Sequence, residues 1–130
     1  MSYLNINDLF SKILIIECSN PWYDYLYRGK KTVEGRKKSS KFKDIKPNDV
    51  VLFVLKGHSE IYFHAKVVDV KYYKTLREYL QSEGIEKCLP GITELEKAVA
   101  IYTQPGWSTE KEIENVGFMG IHIELLKSVV

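Results

Sequence analysis

Between residues 20 and 36 the chain reads Asn20-Pro21-Trp22-Tyr23-Asp24-Tyr25-Leu26-Tyr27-Arg28-Gly29-Lys30-Lys31-Thr32-Val33-Glu34-Gly35-Arg36. The first half carries the punctuation of a short helix. The Asn20 side-chain oxygen can cap the first turn, and Pro21 suits the first helical position because the N–H it lacks would be unpaired there anyway. Gly29 closes the helix where a left-handed residue is wanted. Trp22 and Leu26, like Tyr23 and Tyr27, stand four apart and share faces of that helix. The second half, Lys31 to Lys37, reads as a strand or extended edge. Its side chains then alternate, with Thr32, Glu34 and Arg36 on one face and Lys31, Val33 and Gly35 on the other.

The flanking sequence supplies further elements. Asn7 to Phe10 has the look of a short helical start, and the compact apolar run Ile13 to Cys18 reads as a first strand. Lys38 to Asn48 is polar and irregular, ending in the turn Ile45-Lys46-Pro47-Asn48-Asp49. Val50 to Leu55 is an unbroken apolar run, as in a strand buried on both faces. Gly57-His58-Ser59 turns the chain into a long strand, Ile61 to Tyr72, with Ile61, Phe63, Ala65 and Val67 on one side. Three helix starts follow, at Thr75/Glu78, Thr93/Glu96 and Thr109/Glu112, each spaced for a reciprocal capping box. The middle helix shows the stripe Leu95, Ala98, Val99, Tyr102. Gly117 to Leu126 is a last strand, with Ile121, Ile123 and Leu125 alternating against His122 and Glu124. Strands interrupted by short helices do not follow the rhythm of a parallel sheet. The pattern is that of an α+β domain whose strands close, or nearly close, into a small barrel, with Val51, Phe53, Phe63, Val67, Ile121 and Ile123 in one core.

At 130 residues the chain fits a single domain, residues 1–130, with residues 1–12 as an N-terminal extension. Hydrophobic residues make up 45% and charged residues 28%, which excludes a disordered composition. The two cysteines, Cys18 and Cys88, are far apart and form no Cys-x-x-Cys unit, so they read as buried thiols in a reducing compartment rather than zinc ligands. No metal or other cofactor is expected. The start, Met1-Ser2-Tyr3-Leu4-Asn5, lacks the basic, apolar character of a secretory signal, and no apolar run approaches the roughly 20 residues that cross a bilayer. The expectation is a cytoplasmic protein with no membrane partner, a monomer or weak dimer.

Charge is unevenly spread. From Arg28 to Lys46, nine basic residues face only Glu34 and Asp44, leaving +7; since the whole chain carries +2, the remainder carries −5. Such asymmetry points to one face built for a polyanion. Lys30, Lys37, Lys38, Lys41 and Lys43 are the candidate contacts to an RNA backbone.

The order of these motifs resembles the ASCH domain family. The resemblance rests on Trp22-x₆-Gly29-Lys30-Lys31-Thr32-Val33-Glu34-Gly35-Arg36 and on the turn Ile45-Lys46-Pro47-Asn48-Asp49 leading into Val51-Leu52-Phe53. Tyr73-x-x-Leu76-x-x-Tyr79-Leu80, Leu89-Pro90-Gly91, Ile101-Tyr102 and Gly117-Phe118-Met119-Gly120-Ile121 also match. The resemblance spans about residues 13 to 126. It implies a PUA-like mixed β-barrel with short flanking helices, a cleft beside the first helix and an association with RNA; some members are hydrolases.

Three constellations carry candidate chemistry. In the Gly-to-Arg block, Lys31, Thr32, Glu34 and Arg36 can bind a ligand, the carboxylate orienting an amino group and the guanidinium gripping a phosphate or carbonyl. Among the rings Trp22, Tyr23, Tyr102 and Trp107, the candidates for base stacking are Trp22, Tyr102 and Trp107, the last in the Gln104-Pro105-Gly106-Trp107 loop. The histidines His58, His64 and His122 have neither metal-like spacing nor a neighbouring nucleophile. The leading reading is an RNA-binding or modified-nucleotide-binding module. The alternative is a small hydrolase, a ribonuclease or an amidohydrolase, using Lys31 and Glu34 in the same cleft. A related PUA-like group deacylates N4-acylated cytidine with a Gly-x-Lys-Thr-x-Thr block. Here Lys31 fits the lysine, but Glu34 stands in place of the second threonine. For a protein–protein adaptor nothing in the sequence speaks directly.

Overall fold

A computed structural model describes residues 13–39 and 41–126; the expected helical start at Asn7 to Phe10 lies outside them. The strands are β1 (Leu14–Cys18), β2 (Val33–Lys37), β3 (Val50–Leu55), β4 (His58–Tyr73) and β5 (Phe118–Leu125). The helices are α1 (Trp22–Tyr27), α2 (Leu76–Glu83), α3 (Ile85–Cys88), α4 (Leu95–Tyr102) and α5 (Glu110–Val116). The five strands form one mixed sheet in the order β1-β3-β4-β5-β2. Only β1 and β3 run parallel; the other pairs are antiparallel. This is the expected α+β architecture, a sheet curled into a half-barrel with short helices around it.

The curl comes from β4. Its first part pairs with β3 as far as Lys66 and its second part pairs with β5 from Ala65 onward, so one 16-residue strand serves two neighbours in turn. A register shift between Val67 and Asp69 bends it further, as a bulge does. Inside the curl lies one core containing Ile16, Val51, Phe53, Phe63, Val67, Met119, Ile121 and Ile123, closed by Tyr23 and Leu26 of α1. All six residues expected to share a core are in it. Ile61 is not: it is exposed, because the pairing skips from Val54↔Tyr62 to Leu55↔His58 and leaves Ile61 in the irregular stretch between. That hairpin turns at Lys56-Gly57, so His58 and Ser59 already belong to β4. β3 is less evenly covered than its apolar run suggests, with Val51 and Phe53 fully buried and Val50, Leu52 and Leu55 half-buried.

The chain after Asn20 forms the expected helix, but it starts at Trp22, with Pro21 at the cap position rather than the first helical one. Asn20 Oδ1 accepts from the Asp24 N–H at 3.1 Å. At the other end Lys30 N donates to the Tyr25 carbonyl (2.9 Å) and Gly29 N to the Leu26 carbonyl (3.1 Å), with Gly29 at φ 76°. This is the paired-bond helix stop that left-handed glycine permits. At two of the three expected starts the threonine half of the capping box forms, while Glu78 accepts from Lys74 N and Glu112 from the Thr109 hydroxyl rather than from the cap N–H. Thr75 Oγ1 accepts from Glu78 N and Thr109 Oγ1 from Glu112 N. The third does not form: Glu94, not Thr93, precedes α4, and Glu96 is drawn instead to Arg77 at 2.6 Å.

A second core lies between the outer face of the sheet and the helices, with Val33, Leu76, Tyr79, Leu80, Tyr102, Ile113 and Phe118 at its centre. Two glycines let the helices come this close. Gly35 and Gly120 face each other across β2 and β5. A Cβ on Gly35 would fall 2.6 Å from Tyr79 Oη, and one on Gly120 would fall 2.6 Å from Glu83 Oε2. Phe53 tests the inner core: it is fully buried and stacks on Phe63 with ring centroids 5.2 Å apart. Phe53→Ala is expected to cost about 3–5 kcal/mol, read as a lower chemical-denaturation midpoint with the slope retained; an unchanged midpoint would contradict this placement of the strands.

Candidate functional site

β1 and β2 are the outermost strands of the sheet, and the curl brings them face to face. No ladder joins them. Side chains do: an Arg36 Nη2 donates to the Glu17 carbonyl at 2.9 Å, and the Cys18 thiol donates to Glu34 Oε2 at 3.3 Å. Arg36 Nε also lies 3.6 Å from Glu34 Oε1. A cleft of about 400 Å³ opens along this seam, within the size range of small-ligand sites. Its floor is Glu34, Gly35 and Arg36 with Cys18. Trp22 from α1 and Tyr102 from α4 wall it, and Trp107 stands at one side on the loop between α4 and α5.

The structure therefore gathers six of the seven expected ligand-binding residues, Trp22, Lys31, Glu34, Arg36, Tyr102 and Trp107, along one cleft. Thr32 is not among them: β2 begins at Val33, and Thr32 is exposed, with its carbonyl accepting from Ile123 N. The residues differ in what they offer. Trp107 is 45% exposed, whereas Tyr102 is 7% exposed and its hydroxyl is hydrogen-bonded to that of Tyr79 at 3.1 Å. Burial, with the Glu34 carboxylate nearby, pushes the Tyr102 phenol well up, so it stays protonated. Lys31 is 2% exposed and its ammonium donates to the carbonyls of Val33 and Cys88, two of its three protons being thereby committed. Burial works against the Arg36 charge, but Glu34 and Cys18 beside it hold its pKa raised. Tyr23 belongs to the inner core, edge-on to Phe63.

The basic run is dispersed. Lys37 lines the cleft, and Lys41 Nζ sits 5.4 Å from the centre of the Phe42 ring, itself a cleft wall. Lys38 leans over Tyr72 of β4, Lys46 pairs with Asp49 at 3.1 Å, and Lys30 and Lys43 are exposed outside the cleft. Sequence reasoning missed Phe42 and Lys56. Phe42 is an isolated ring in a polar stretch, and Lys56 is a lone lysine in a hairpin turn whose N–H donates to the Cys18 carbonyl, a proximity that only the fold creates. Away from the cleft, His122 Nε2 and Tyr73 Oη both meet Glu83 Oε2 at 2.8 Å. No described cluster of His, Cys, Asp and Glu is arranged to hold a metal.

The model of the ASCH domain matches residues 16–126. The chain belongs to the ASCH domain family. Among solved structures it resembles the hypothetical protein PH0355, 29% identical over 88% of this chain and 99% of that one, with a TM-score of 0.76. It also resembles protein PF0455 from Pyrococcus furiosus, 25% identical over 89% and 99%, with a TM-score of 0.68. An ASCH protein from Zymomonas mobilis shares the fold at 14% identity, a TM-score of 0.55, and 87% and 67% coverage. No curated protein matches. Membership fits the PUA-like reading of the barrel, a fold that in this family is associated with RNA. No described helix is long and apolar enough to cross a membrane.

Cys18 gives the site a chemical signature. Burial, then the charge of Glu34, pushes its thiol far above the usual range. Cysteine reacts as the thiolate, so Cys18 is expected to resist iodoacetamide at pH 8 in the native protein and to alkylate readily in denaturant. Native labelling as fast as denatured labelling would contradict the buried Cys18–Glu34 contact.

Proposed function

We propose that this ASCH domain binds single-stranded RNA or a nucleotide in the seam cleft, the base lying against Trp107 and Trp22 and the phosphates running over Lys37, Lys41 and Lys56. The observation that carries this reading is the convergence in one cleft of exposed or half-exposed indoles, a carboxylate–guanidinium pair and flanking lysines. Flat rings beside cations are what unstacked bases require. Lys30, Lys38 and Lys43, exposed beyond the cleft, extend the basic track for a longer strand.

Binding is favoured over hydrolysis by the state of the candidate groups. A general base must reach a proton on the substrate. Lys31 is buried with its ammonium directed at two carbonyls, which suits an anchor of the β2 edge better than a base. Glu34 lies between Arg36 and the Cys18 thiol, which suits a hydrogen-bond acceptor.

Lysine–phosphate contacts release counterions, so affinity for a short single-stranded RNA should fall steeply with salt. Replacing Lys37, Lys38 and Lys41 together by glutamate is expected to weaken binding by more than about tenfold and to flatten the salt dependence, measured by fluorescence anisotropy. A triple variant that binds like the parent protein would overturn the basic-face reading.

A further inference from the structure

The floor of the cleft is an unpaired strand edge, and its hydrogen-bonding pattern can be worked out. β2 pairs with β5 on one side only. Two bonds fix the phase of that ladder: Ile123 N donates to the Thr32 carbonyl, and Lys38 N donates to the Gly117 carbonyl. In an antiparallel ladder the hydrogen-bonded pairs alternate. Residues 32, 34, 36 and 38 therefore turn their main-chain groups toward β5, and residues 33, 35 and 37 turn theirs toward the seam.

The outward carbonyls on either side of Gly35 have partners. The Val33 carbonyl accepts from Lys31 and the Lys37 carbonyl accepts from Ser39 N. No strand lies beside Gly35 on that side, so its N–H and C=O face the seam outside any ladder. Yet Gly35 is buried and lines the cleft. Buried main-chain donors and acceptors are nearly always paired, so this adjacent donor and acceptor call for a partner from the cleft side. Gly35 cannot readily be exchanged for a residue that would shift this edge, because its other face is pressed against Tyr79 and Phe118. Beside it stands the Glu34 carboxylate, engaged among the described residues by a thiol at 3.3 Å and a guanidinium nitrogen at 3.6 Å, an arrangement that leaves it capacity to accept further hydrogen bonds.

From this juxtaposition we infer that the Gly35 main chain and the Glu34 carboxylate together read the edge of a nucleobase that carries an exocyclic amino group. The inference rests on the nucleotide-binding reading and adds base selectivity to it. The Gly35 N–H donates to a ring nitrogen or carbonyl of the base. The Gly35 carbonyl and Glu34 accept from its N–H groups. Adenine, cytosine and guanine each offer an acceptor beside an amino group or ring N–H and have amino protons for the carboxylate. Uracil offers its single N–H to one acceptor, has no amino group, and leaves Glu34 facing carbonyl oxygens. A site built to pair a polar group discriminates strongly against an analogue that leaves it unpaired.

The test uses the full chain and length-matched single-stranded oligonucleotides of cytidine, of uridine and of 2-pyrimidinone riboside, which is cytidine without its amino group. The expected result is binding of the cytidine strand about tenfold or more tighter than the other two, with all three retaining the same salt dependence because the phosphate contacts are common to them. In Glu34→Gln, folded by circular dichroism, the preference for cytidine over uridine should shrink severalfold, because the amide has one acceptor fewer for an amino group and an N–H that can donate to a uracil carbonyl. Equal binding of cytidine and uridine strands by the parent protein would overturn this inference and leave RNA binding standing. Binding of none of them would overturn the nucleotide reading and this inference with it.

Discussion

The bridge between the two outer strands of the sheet, Arg36 to the Glu17 carbonyl and Cys18 to Glu34, is the constraint on which the rest of the molecule depends. A curled sheet with two open edges would expose two rows of unpaired main-chain groups. Here the curl of β4 brings those edges together, and a few side chains span the gap where a ladder would otherwise run. A full ladder would have sealed the barrel. Side-chain bridges leave room between the strands, and that room is the cleft. Closure of the fold and creation of the site are thus one event, which is why Glu34 and Arg36 serve both.

The helical layer sets the depth of the site. Tyr79 and Glu83 of α2 press into the flat patch made by Gly35 and Gly120, and Tyr102 of α4 is held beside them by its hydroxyl contact to Tyr79. Arg77 reaches from α2 to Glu96 on α4 and Glu110 on α5, the two helices flanking the loop that carries Trp107. Each such pair near the surface is worth little alone, but a shared arginine fixes the spacing of the two helices. Lys31 works from within, tying the start of β2 to the last residue of α3. The position of the indole over the cleft therefore follows from contacts made well away from it.

Much of this was legible in the residues. Asn20, Pro21 and Gly29 mark a helix by local chemistry alone, and the alternation of Ile121 and Ile123 marks a strand face, so both could be read without tertiary knowledge. The family resemblance pointed to Glu34 and Arg36, and rings beside lysines pointed to Trp22, Tyr102 and Trp107. Other features depend on contacts distant in sequence. Thr93 and Glu96 have the spacing of a cap, but Arg77 outcompetes the helix start for Glu96. Thr32 shares a face with Glu34 only if the strand reaches it, and β2 begins one residue later. Lys31 reads as a ligand-binding or catalytic cation until the Cys88 carbonyl, 57 positions away, is placed against it. The partnering of Gly35 could not be read at all, since it requires knowing that β2 is an edge and which way its ladder is phased.

The claim at the centre of this account is that the unpaired edge of β2 is where ligand meets protein. Titrating the ¹⁵N-labelled chain with a short cytidine oligonucleotide and following its amide resonances tests it most directly. The account predicts that the Gly35 and Lys37 amides and the Trp107 indole N–H move most, with Lys30 and Lys43 changing less and more salt-sensitively. Shifts confined to the exposed lysines, with Gly35 and Trp107 unmoved at saturation, would contradict it.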